Sequence, residues 1–421
     1  MKEYWHSVIL ERDFCNGCTY CLDRCPTQAI RVIGGKAQII NERCIDCGEC
    51  LKVCPFHAKG AQTDSLDMLS KFEYNIALPA ISLYGQFDLD YDINRIFNGL
   101  YQLGFDHVFD VAYAADILTV YQQKILNRTE RPKPLISTFC PAVTRLIQIR
   151  YPALIDHIIQ LESPMQVAAW MARERAAEIT GLSQDKIGVF YITQCPAKIT
   201  SIKKPLGIED SQISGAISIE GLYTQLIKSY DDVEIKRQIQ KASGKGVGWG
   251  MVGGQSFAMG IENYMAVDGI EEVIKVLDRL EMGKLKDVDF LEAYACVTGC
   301  VGGPLNVENP FIAKSRIRMR SKRIRRRYEP EDLSMYDQKL MQWDQDITPY
   351  PVLKLDTDIK RALEKMGKIE ELFQSLPGID CGACGAPTCR ALAEDIVMGR
   401  AELNHCLVQM NTDRRKNDES E

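Results

Sequence analysis

The residues with the widest chemical scope in this 421-residue chain are its 16 cysteines. Two repeats share the spacing C-x2-C-x2-C-x3-C-P, namely Cys15, Cys18, Cys21 and Cys25, and then Cys44, Cys47, Cys50 and Cys54. Thiolates at this spacing wrap a [4Fe–4S] cube, with three from one loop and the fourth reaching the cluster of the other repeat. By this crossed rule, one cluster takes Cys15, Cys18, Cys21 and Cys54, and the other takes Cys44, Cys47, Cys50 and Cys25.

Zinc is the alternative metal for these cysteines, and it is disfavoured because zinc sites use two separated C-x2-C pairs. Between the repeats, residues 29–33 and 37–40 are predicted to form short strands around a Gly34-Gly35 turn. Over residues 10–60 the sequence resembles a bacterial two-cluster ferredoxin, which implies a small α+β domain.

A third cysteine group lies near the C-terminus with the pattern C-x2-C-x4-C-x16-C. Its members are Cys381, Cys384, Cys389 and Cys406. Glycines around the first two permit the backbone angles of a loop whose amides face cluster sulfurs, and a helix after Cys389 would bring Cys406 back to the loop. The segment resembles the single-cluster [4Fe–4S] domain of electron-transport and corinoid-linked subunits. Zinc is again the less favoured alternative.

Four cysteines remain, namely Cys140, Cys195, Cys296 and Cys300. Lone cysteines are usually small buried hydrophobic residues. Here, however, Cys140 and Cys195 each follow a predicted strand, and the C-x3-C pair opens a glycine-rich turn. Loops at strand ends are where α/β proteins build their sites. Four thiolates that converge there would hold a fourth cubane.

The three loops around these cysteines resemble the signature loops of [FeFe] hydrogenases. The family motifs T-S-C-C-P, M-P-C-x2-K-x2-E and E-x-M-A-C-x2-G-C-x2-G-G-G correspond to residues 137–141, 193–201 and 292–304. The resemblance spans residues 75–310 and implies a two-lobed α/β core. It further implies that Cys140, Cys195, Cys296 and Cys300 bind a cubane, and that Cys300 bridges to a diiron subsite with CO and CN ligands.

Lys198 matches the family lysine that donates a hydrogen bond to a cyanide. The alternative is an ordinary surface lysine, which is the usual fate of this residue type. A cyanide nitrogen carries negative charge, so a buried ammonium would be a strong donor to it. The resemblance therefore makes Cys300 and Lys198 the candidate catalytic residues.

The sequence also departs from the family at positions that move protons. Phe139 stands where efficient members have a proton-donating cysteine, Ser201 replaces a glutamate, and Thr193 and Tyr294 replace methionines. General acid catalysis commonly contributes about 10²–10⁴-fold to a rate. The pattern is closest to the sensory groups of this family. It predicts slow, reversible conversion between H₂ and protons, or H₂ or redox sensing.

These observations predict a multidomain α/β protein with three parts. A two-cluster ferredoxin-like domain spans residues 1–62, a hydrogenase-like core spans residues 63–355, and a helical [4Fe–4S] domain with a polar tail spans residues 356–421. Residues 356–377 are predicted to form an amphipathic helix in the last domain. The N-terminal clusters would carry electrons to the core, and the C-terminal cluster would offer a second exit.

The chain has 51 basic and 57 acidic side chains, for a net charge of −6. No apolar stretch is long enough to cross a membrane and no secretory signal is apparent, so a cytoplasmic location is expected. The basic run Lys314 to Arg327 could bind nucleic acid, but the acidic chain argues against this. A solvated helix face is preferred for that run, and docking of an acidic redox partner comes next.

Two functional hypotheses explain all 16 cysteines. The first is a hydrogenase-like enzyme or sensor whose partner is a redox protein, either a ferredoxin or a signalling protein. The alternative is a non-catalytic protein with several [4Fe–4S] clusters and no diiron site, acting in electron transfer or redox sensing. The two hypotheses differ in iron content and in the presence of CO and CN ligands.

Overall fold

A computed structural model describes residues 5–126, 130–324, 338–352 and 355–411. By its internal contacts the chain divides into two compact units. The first unit holds residues 1–44, 49–60 and 350–421, and the second holds residues 45–48 and 61–349. The mixed α/β fold class predicted from the sequence is confirmed. Most of the predicted polar tail and the last three residues of the basic run lie outside the described residues.

The N-terminal part of the first unit is built from two small two-stranded sheets. Their strands are β1 (Val8–Leu10) with β4 (Lys59–Ala61), and β2 (Ile30–Ile33) with antiparallel β3 (Lys36–Ile39). One short helix lies in each cysteine repeat, α1 (Tyr20–Asp23) and α2 (Glu49–Lys52). Gly34 and Gly35 form the predicted turn, and both have positive φ angles, 59° and 71°, which glycine adopts without steric cost.

The second unit contains two parallel sheets, as the two-lobed prediction requires. The first has the order β6-β5-β8-β9, with β5 (Tyr74–Pro79), β6 (His107–Val108), β8 (Ile187–Thr193) and β9 (Gly215–Ser218). The second has the order β10-β11-β7, with β7 (Leu135–Ile136), β10 (Tyr264–Asp268) and β11 (Phe290–Tyr294). All seven residues of β8 are buried, which explains its continuous apolar sequence.

Ten helices of the second unit accompany these sheets in the described residues. They are α3 (Ile93–Gln102), α4 (Val111–Leu126), α5 (Pro141–Arg150), α6 (Pro164–Thr180), α7 (Pro196–Lys203), α8 (Ile219–Lys228), α9 (Gly244–Gly248), α10 (Gly254–Met259), α11 (Ile270–Glu281) and α12 (Pro310–Arg323). The first unit ends with α13 (Ile359–Ser375), which lies within the predicted span, and α14 (Cys389–Val397). Asp358 caps α13 by accepting a hydrogen bond from the Arg361 amide at 3.0 Å.

The basic helix α12 differs in part from its prediction as a solvated face. Arg316 forms ion pairs with Asp88 and Glu308, and Arg320 donates to the carbonyl oxygen of Asp88 at 2.6 Å. Ile317, on the same helix, is fully buried. The solvated-face prediction was therefore wrong for these two arginines, because the helix packs them onto the loop that contains Asp88.

A buried carboxylate anchors the segment that leads into the glycine-rich helices α9 and α10. Asp110 is 3% exposed and accepts hydrogen bonds from the Tyr84 hydroxyl at 3.0 Å and from the Lys241 and Ala242 amides at 3.1 Å. Burial raises its pKa to about 6, although the donated hydrogen bonds oppose the shift. A carboxylate in this position joins three separate stretches of chain.

The pKa of Asp110 predicts a pH-dependent contribution to stability. Its usual value is 3.8, so the folded protein binds this proton more tightly than the unfolded chain does. Stability from this residue is therefore fully present below about pH 4 and falls as the pH rises to about 6. Between pH 5 and 7 the wild type should lose about 1 kcal/mol relative to Asp110→Asn. Anaerobic urea unfolding of both proteins measures this difference, and curves that stay parallel across the pH range would contradict it.

Candidate iron–sulfur centres

The structure brings the four cysteines of the first predicted cluster site, Cys15, Cys18, Cys21 and Cys54, near one another. Burial, opposed by Lys59 and reinforced by Cys18, Cys54 and Cys15, raises the pKa of Cys21 to about 11. These thiols therefore lie close enough for their charges to interact. Cys54, from the second repeat, is thus near three cysteines of the first repeat. The crossed grouping is what a cluster shared between two repeats needs.

Backbone amides point at the sulfur atoms of this region. The amide of Ala37 lies 3.4 Å from Cys15 Sγ, and that of Ala58 lies 3.3 Å from Cys54 Sγ. Gly17 allows the close approach of the loop, because a Cβ there would lie 2.4 Å from the carbonyl oxygen of Gly35. Hydrogen bonds to sulfur are one of the means by which a protein sets a cluster potential.

The second repeat contributes to both units. Cys25, Cys44 and Cys50 share one apolar cluster with Val8 and Ala29 in the first unit. The amide of Ala29 lies 3.1 Å from Cys25 Sγ.

The turn that carries Cys47 belongs to the second unit. Cys47 is buried in the same apolar cluster as Ala197, and Cys195 packs against that cluster. Its neighbour Asp46 accepts a hydrogen bond from Thr200 Oγ1 on α7 at 2.8 Å. The sequence assigned no role to Asp46, and its spacing from α7 offers no signal of this contact.

The C-terminal cysteines surround one small cavity. Its lining includes all four thiols, Cys381, Cys384, Cys389 and Cys406. The loop is held by Asp380, whose carboxylate accepts a hydrogen bond from the Cys389 amide at 2.6 Å. Gly382 and Gly385 have φ angles of +68° and +81°, as expected for this loop. The four residues therefore present a closed donor set of soft ligands, which suits iron–sulfur chemistry.

In the central site, two of the four cysteines precede helices. Cys140 stands directly before α5 and Cys195 directly before α7, and both helices begin with proline. A helix N-terminus favours an anionic sulfur beside it. Cys296 follows β11, and Cys300 begins a short helical turn four residues later. Cys140 and Cys195 thus lie between strands β7 and β8 and the helices that follow them, and Cys296 and Cys300 lie in the turn after β11.

Electrostatic coupling places these four thiols together. Burial and then the charges of Cys296 and Cys140 raise the pKa of Cys195. Burial also raises the pKa of Cys140 and of Cys300, with Cys300 acting on Cys140 and Cys296 acting on Cys300. Lys198 opposes the shift at Cys140, Cys195 and Cys300. One cation thus faces a cluster of thiols from which water is excluded.

Glycines let the third loop approach its neighbours. A Cβ on Gly299, whose φ is +89°, would lie 2.6 Å from the amide nitrogen of Val252. A Cβ on Gly303 would lie 2.5 Å from the carbonyl oxygen of Gln194. Both approaches bring Cys300 to its place between the second signature loop and the glycine-rich segment.

Lys198 is buried, not on the surface, with 3% of its area exposed. Its ammonium donates a hydrogen bond to the Tyr191 hydroxyl at 3.3 Å and lies 4.3 Å from the centre of the Phe139 ring. Burial lowers its pKa, but Tyr191, Cys300 and Cys195 outweigh burial, so that the pKa lies above its usual value. The surface-lysine alternative is therefore excluded by the fold.

Aromatic rings pack around Phe139, whose own ring contacts Lys198 in the central site. The Phe139 ring centre lies 5.5 Å from that of Trp249 and 6.0 Å from that of Tyr294, both at steep angles. The Tyr294 hydroxyl donates to Glu292 Oε1 at 2.9 Å. The carboxylate of Glu292 also accepts from the Ser256 hydroxyl at 2.7 Å. Tyr294, which replaces a family methionine, thus belongs to a buried polar network.

Sequence reasoning missed Tyr191, Gln194 and Trp249 as site residues. The side chain of Gln194 forms a hydrogen bond with Cys300 that lowers the pKa of the thiol, and its Oε1 atom is buried without a partner among the described residues. The only signal for Gln194 was its place beside Cys195. Nothing in the local sequence indicated Trp249 as a site residue. It directly follows helix α9.

The converging cysteine groups define this chain as an iron–sulfur protein. The family model of the iron-only hydrogenase large subunit, C-terminal domain, matches residues 75–264 and 258–304. A 4Fe–4S dicluster model matches residues 7–55, and an Fe–S cluster model matches residues 376–408. The chain belongs to the iron-only hydrogenase large-subunit family, as the resemblance in its sequence predicted.

Two curated relatives are hydrogenases. The NADP-reducing hydrogenase subunit HndD of Solidesulfovibrio fructosivorans is 26% identical over 239 residues, which cover 48% of this chain and 41% of the relative. Iron hydrogenase 1 of Clostridium pasteurianum is 24% identical over 278 residues, which cover 53% of this chain and 48% of the relative. The chain thus spans about half the length of the curated relatives it matches.

A solved structure of a variant of [FeFe]-hydrogenase HydA1 from Chlamydomonas reinhardtii resembles the core. The TM-score is 0.51 at 16% identity, with 68% of this chain and 98% of that chain covered. At this identity the likeness concerns the fold alone, and it confirms a hydrogenase-like core. Within the described ranges, no helix is both long and apolar enough to cross a bilayer.

Proposed function

We propose that the chain is a hydrogenase-like iron–sulfur protein that carries a diiron subsite beside its central cubane. Cys140, Cys195, Cys296 and Cys300 would hold the cubane, and Cys300 would also hold the subsite. Such a subsite, with CO and CN ligands, would supply the metal chemistry by which H₂ is cleaved or formed. The chain then converts H₂ slowly and reversibly, or senses H₂ or the redox state.

The observation that carries this proposal is the buried ammonium of Lys198 beside Cys300. An ammonium has three donors, and Lys198 makes one hydrogen bond among the described residues, to Tyr191. A buried donor without an acceptor is costly, so the site fits an anionic acceptor such as a cyanide nitrogen. The unpartnered Oε1 atom of Gln194, also beside Cys300, supports a further polar occupant.

Slow turnover follows from the residues that surround the site. Phe139 precedes Cys140 directly, is 3% exposed, and has no proton to give. Its ring lies against the ammonium of Lys198, so that the position next to the proposed subsite is hydrophobic. The chain binds its proposed cofactor with the family's ligands and lacks the family's fast proton donor.

The remaining cysteines provide the electron path in this proposal. One cluster takes Cys15, Cys18, Cys21 and Cys54, a second takes Cys44, Cys47, Cys50 and Cys25, and a third takes Cys381, Cys384, Cys389 and Cys406. A redox protein, either a ferredoxin or a signalling protein, exchanges electrons with them. None of the 16 cysteines forms a disulfide, which suits a reducing compartment such as the cytoplasm.

A non-catalytic iron–sulfur protein is the second candidate, and the aromatic rings around Phe139 favour it. Phe139 and Tyr191 lie beside the ammonium of Lys198, and Trp249 and Tyr294 pack against Phe139. The cation–π contact with Phe139 gives the ammonium a partner that needs no cyanide and is worth up to about 2 kcal/mol when desolvated. In this alternative the central site holds a cubane alone.

Infrared spectroscopy distinguishes the two candidates. Protein produced with the hydrogenase maturation machinery should show CO and CN stretching bands. Cys300→Ser should lose the bands, because it removes the bridging thiolate. Cys389→Ser is the matched control: it removes a cysteine of the C-terminal set and should keep the bands. A fully matured wild type with cubane iron and no such bands would refute the diiron proposal.

A further inference from the structure

The C-terminal cysteine loop packs on the first cysteine repeat within the first unit. A Cβ placed on Gly382, which lies between the first two C-terminal cysteines, would be 3.6 Å from Leu22 Cδ2 and 3.7 Å from Thr19 Cγ2. Thr19 and Leu22 each follow directly after a cysteine of the first repeat, Cys18 and Cys21. The C-terminal cysteine loop therefore lies beside the first cysteine repeat, with room for no more than a methyl group between them.

A backbone hydrogen bond continues this contact along strand β2. The Val32 amide donates to the carbonyl oxygen of Gly385 at 2.9 Å. A Cβ on Gly385 would lie only 1.9 Å from the carbonyl oxygen of Val32. Glycine is thus required one residue after Cys384 by the approach of the ferredoxin-like hairpin, in addition to the turn itself.

Two ion pairs join helix α14, which begins at Cys389, to the ferredoxin-like part. Arg31 pairs with Asp395, and Arg43 NH2 lies 3.1 Å from Glu394 Oε2. Arg31, Arg43 and Asp395 are each no more than 6% exposed. Arg31 also donates to the carbonyl oxygen of Gln28 at 2.9 Å. A buried ion pair is favourable only when its geometry is good and further hydrogen bonds satisfy its remaining polar atoms. These pairs therefore favour one arrangement of α14 against the ferredoxin-like part.

We infer that the C-terminal cluster exchanges electrons directly with the first ferredoxin-like cluster, and that these ion pairs hold the two at a fixed separation. The inference rests on the cluster assignments of the proposed function. It connects the second exit expected from the sequence to the ferredoxin-like clusters. Fixed separation matters because electron tunnelling weakens steeply with distance, so a freely moving module would transfer electrons poorly.

The transfer is a one-electron step. The reduced C-terminal cluster is oxidised from the 1+ to the 2+ core, and the first ferredoxin-like cluster is reduced from 2+ to 1+. A one-electron carrier protein with an iron–sulfur or flavin group supplies the electron. Cys381 is the one exposed cysteine of the 16, so the outer side of the C-terminal cluster is open to that carrier.

Electron paramagnetic resonance of the reduced full-length protein, without maturation, tests the inference. Close reduced clusters interact magnetically, and the two ferredoxin-like clusters interact with each other in every variant. The wild type should show a further splitting beyond theirs, which disappears in Cys389→Ser together with about four iron atoms per chain. Glu394→Arg places two buried cations face to face and should abolish the splitting while the iron remains. Combining it with Arg43→Glu restores opposite charges and should restore the splitting.

The exposed pair of Glu370 and Arg390, 3.0 Å apart, provides the matched control. Glu370→Arg makes the same charge change within the C-terminal module, away from the ferredoxin-like face, and should leave the splitting unchanged. A spectrum in which Cys389→Ser or iron-replete Glu394→Arg keeps the wild-type splitting in full overturns the inference. If Glu394→Arg loses iron, the charge-swapped protein decides: full iron without splitting overturns the inference.

The outcomes separate this inference from the proposed function. Unchanged iron in Cys389→Ser would refute the C-terminal cluster assignment itself. Absent CO and CN bands would refute the diiron subsite and leave the magnetic interaction untouched. Bands without the interaction would retain the proposed function and refute direct exchange between these two clusters.

Discussion

Phe139→Cys is expected to raise the rate of H₂ turnover in the matured protein by about 10²–10⁴-fold, which is the usual contribution of a positioned general acid. Residue 139 directly precedes Cys140, and its ring lies 4.3 Å from the ammonium of Lys198. A thiol at this position would place a transferable proton where only a hydrocarbon ring now stands. The effect is measured as the rate of H₂ production from protons, driven by a chemical reductant at constant pH, per mole of diiron site.

Phe139→Ala is the control for the loss of the ring. Both variants remove the contacts with Lys198, Trp249 and Tyr294, and truncation of a buried phenylalanine costs about 3–5 kcal/mol of stability. The two variants differ mainly in the thiol, so only Phe139→Cys should gain activity. If Phe139→Ala gains as much, the ring obstructs access to the site. If neither gains, the slow step does not depend on a proton donor at residue 139.

Lys198→Met is expected to weaken retention of the CO- and CN-bearing unit by roughly 10–100-fold, because it removes charge-assisted hydrogen bonds from a site without water. Methionine has a similar length and no charge, so the packing against Phe139 and Tyr191 should persist. The intensity of the infrared bands relative to total iron, followed during dialysis of matured protein, measures retention. Cubane iron should remain at the wild-type amount.

Lys203→Met tests whether the loss of any cation on α7 has this effect. Lys203 lies five residues after Lys198, with its side chain 38% exposed and its ammonium 3.6 Å from Asp64. Its substitution should leave the bands unchanged, since exposed ion pairs contribute little. Equal loss in both variants would indicate a general effect of charge on α7. Full retention in Lys198→Met would show that Lys198 does not hold the diiron unit.

The spacing of the cysteines carried most of the information that could be read without a structure. Each repeat can be recognised locally, because its four cysteines are separated by only two or three residues. The strand before Cys195 could also be predicted from the sequence, because a fully buried parallel strand is continuously apolar. The fold class and the family followed from these local patterns, and both are confirmed.

The basic helix α12 shows where local patterns fail. Its charges predict solvation, yet Arg316 and Arg320 bind the loop around Asp88, more than 200 positions earlier in the chain. A charge run alone says nothing about a carboxylate that is brought to it by packing. The same reason explains why Asp46 was overlooked, since its partner Thr200 lies 154 positions away.

The sequence by itself determined the candidate ligands, the loops that present them and the absence of a proton donor at Phe139, because each depends on residues adjacent in the chain. Only the tertiary structure decided that Lys198 is buried against Phe139 and that Arg31 meets Asp395 across 364 positions. These contacts arise when separate elements exclude water from the same space. Burial then makes each charge depend on its partner, which no local spacing can specify.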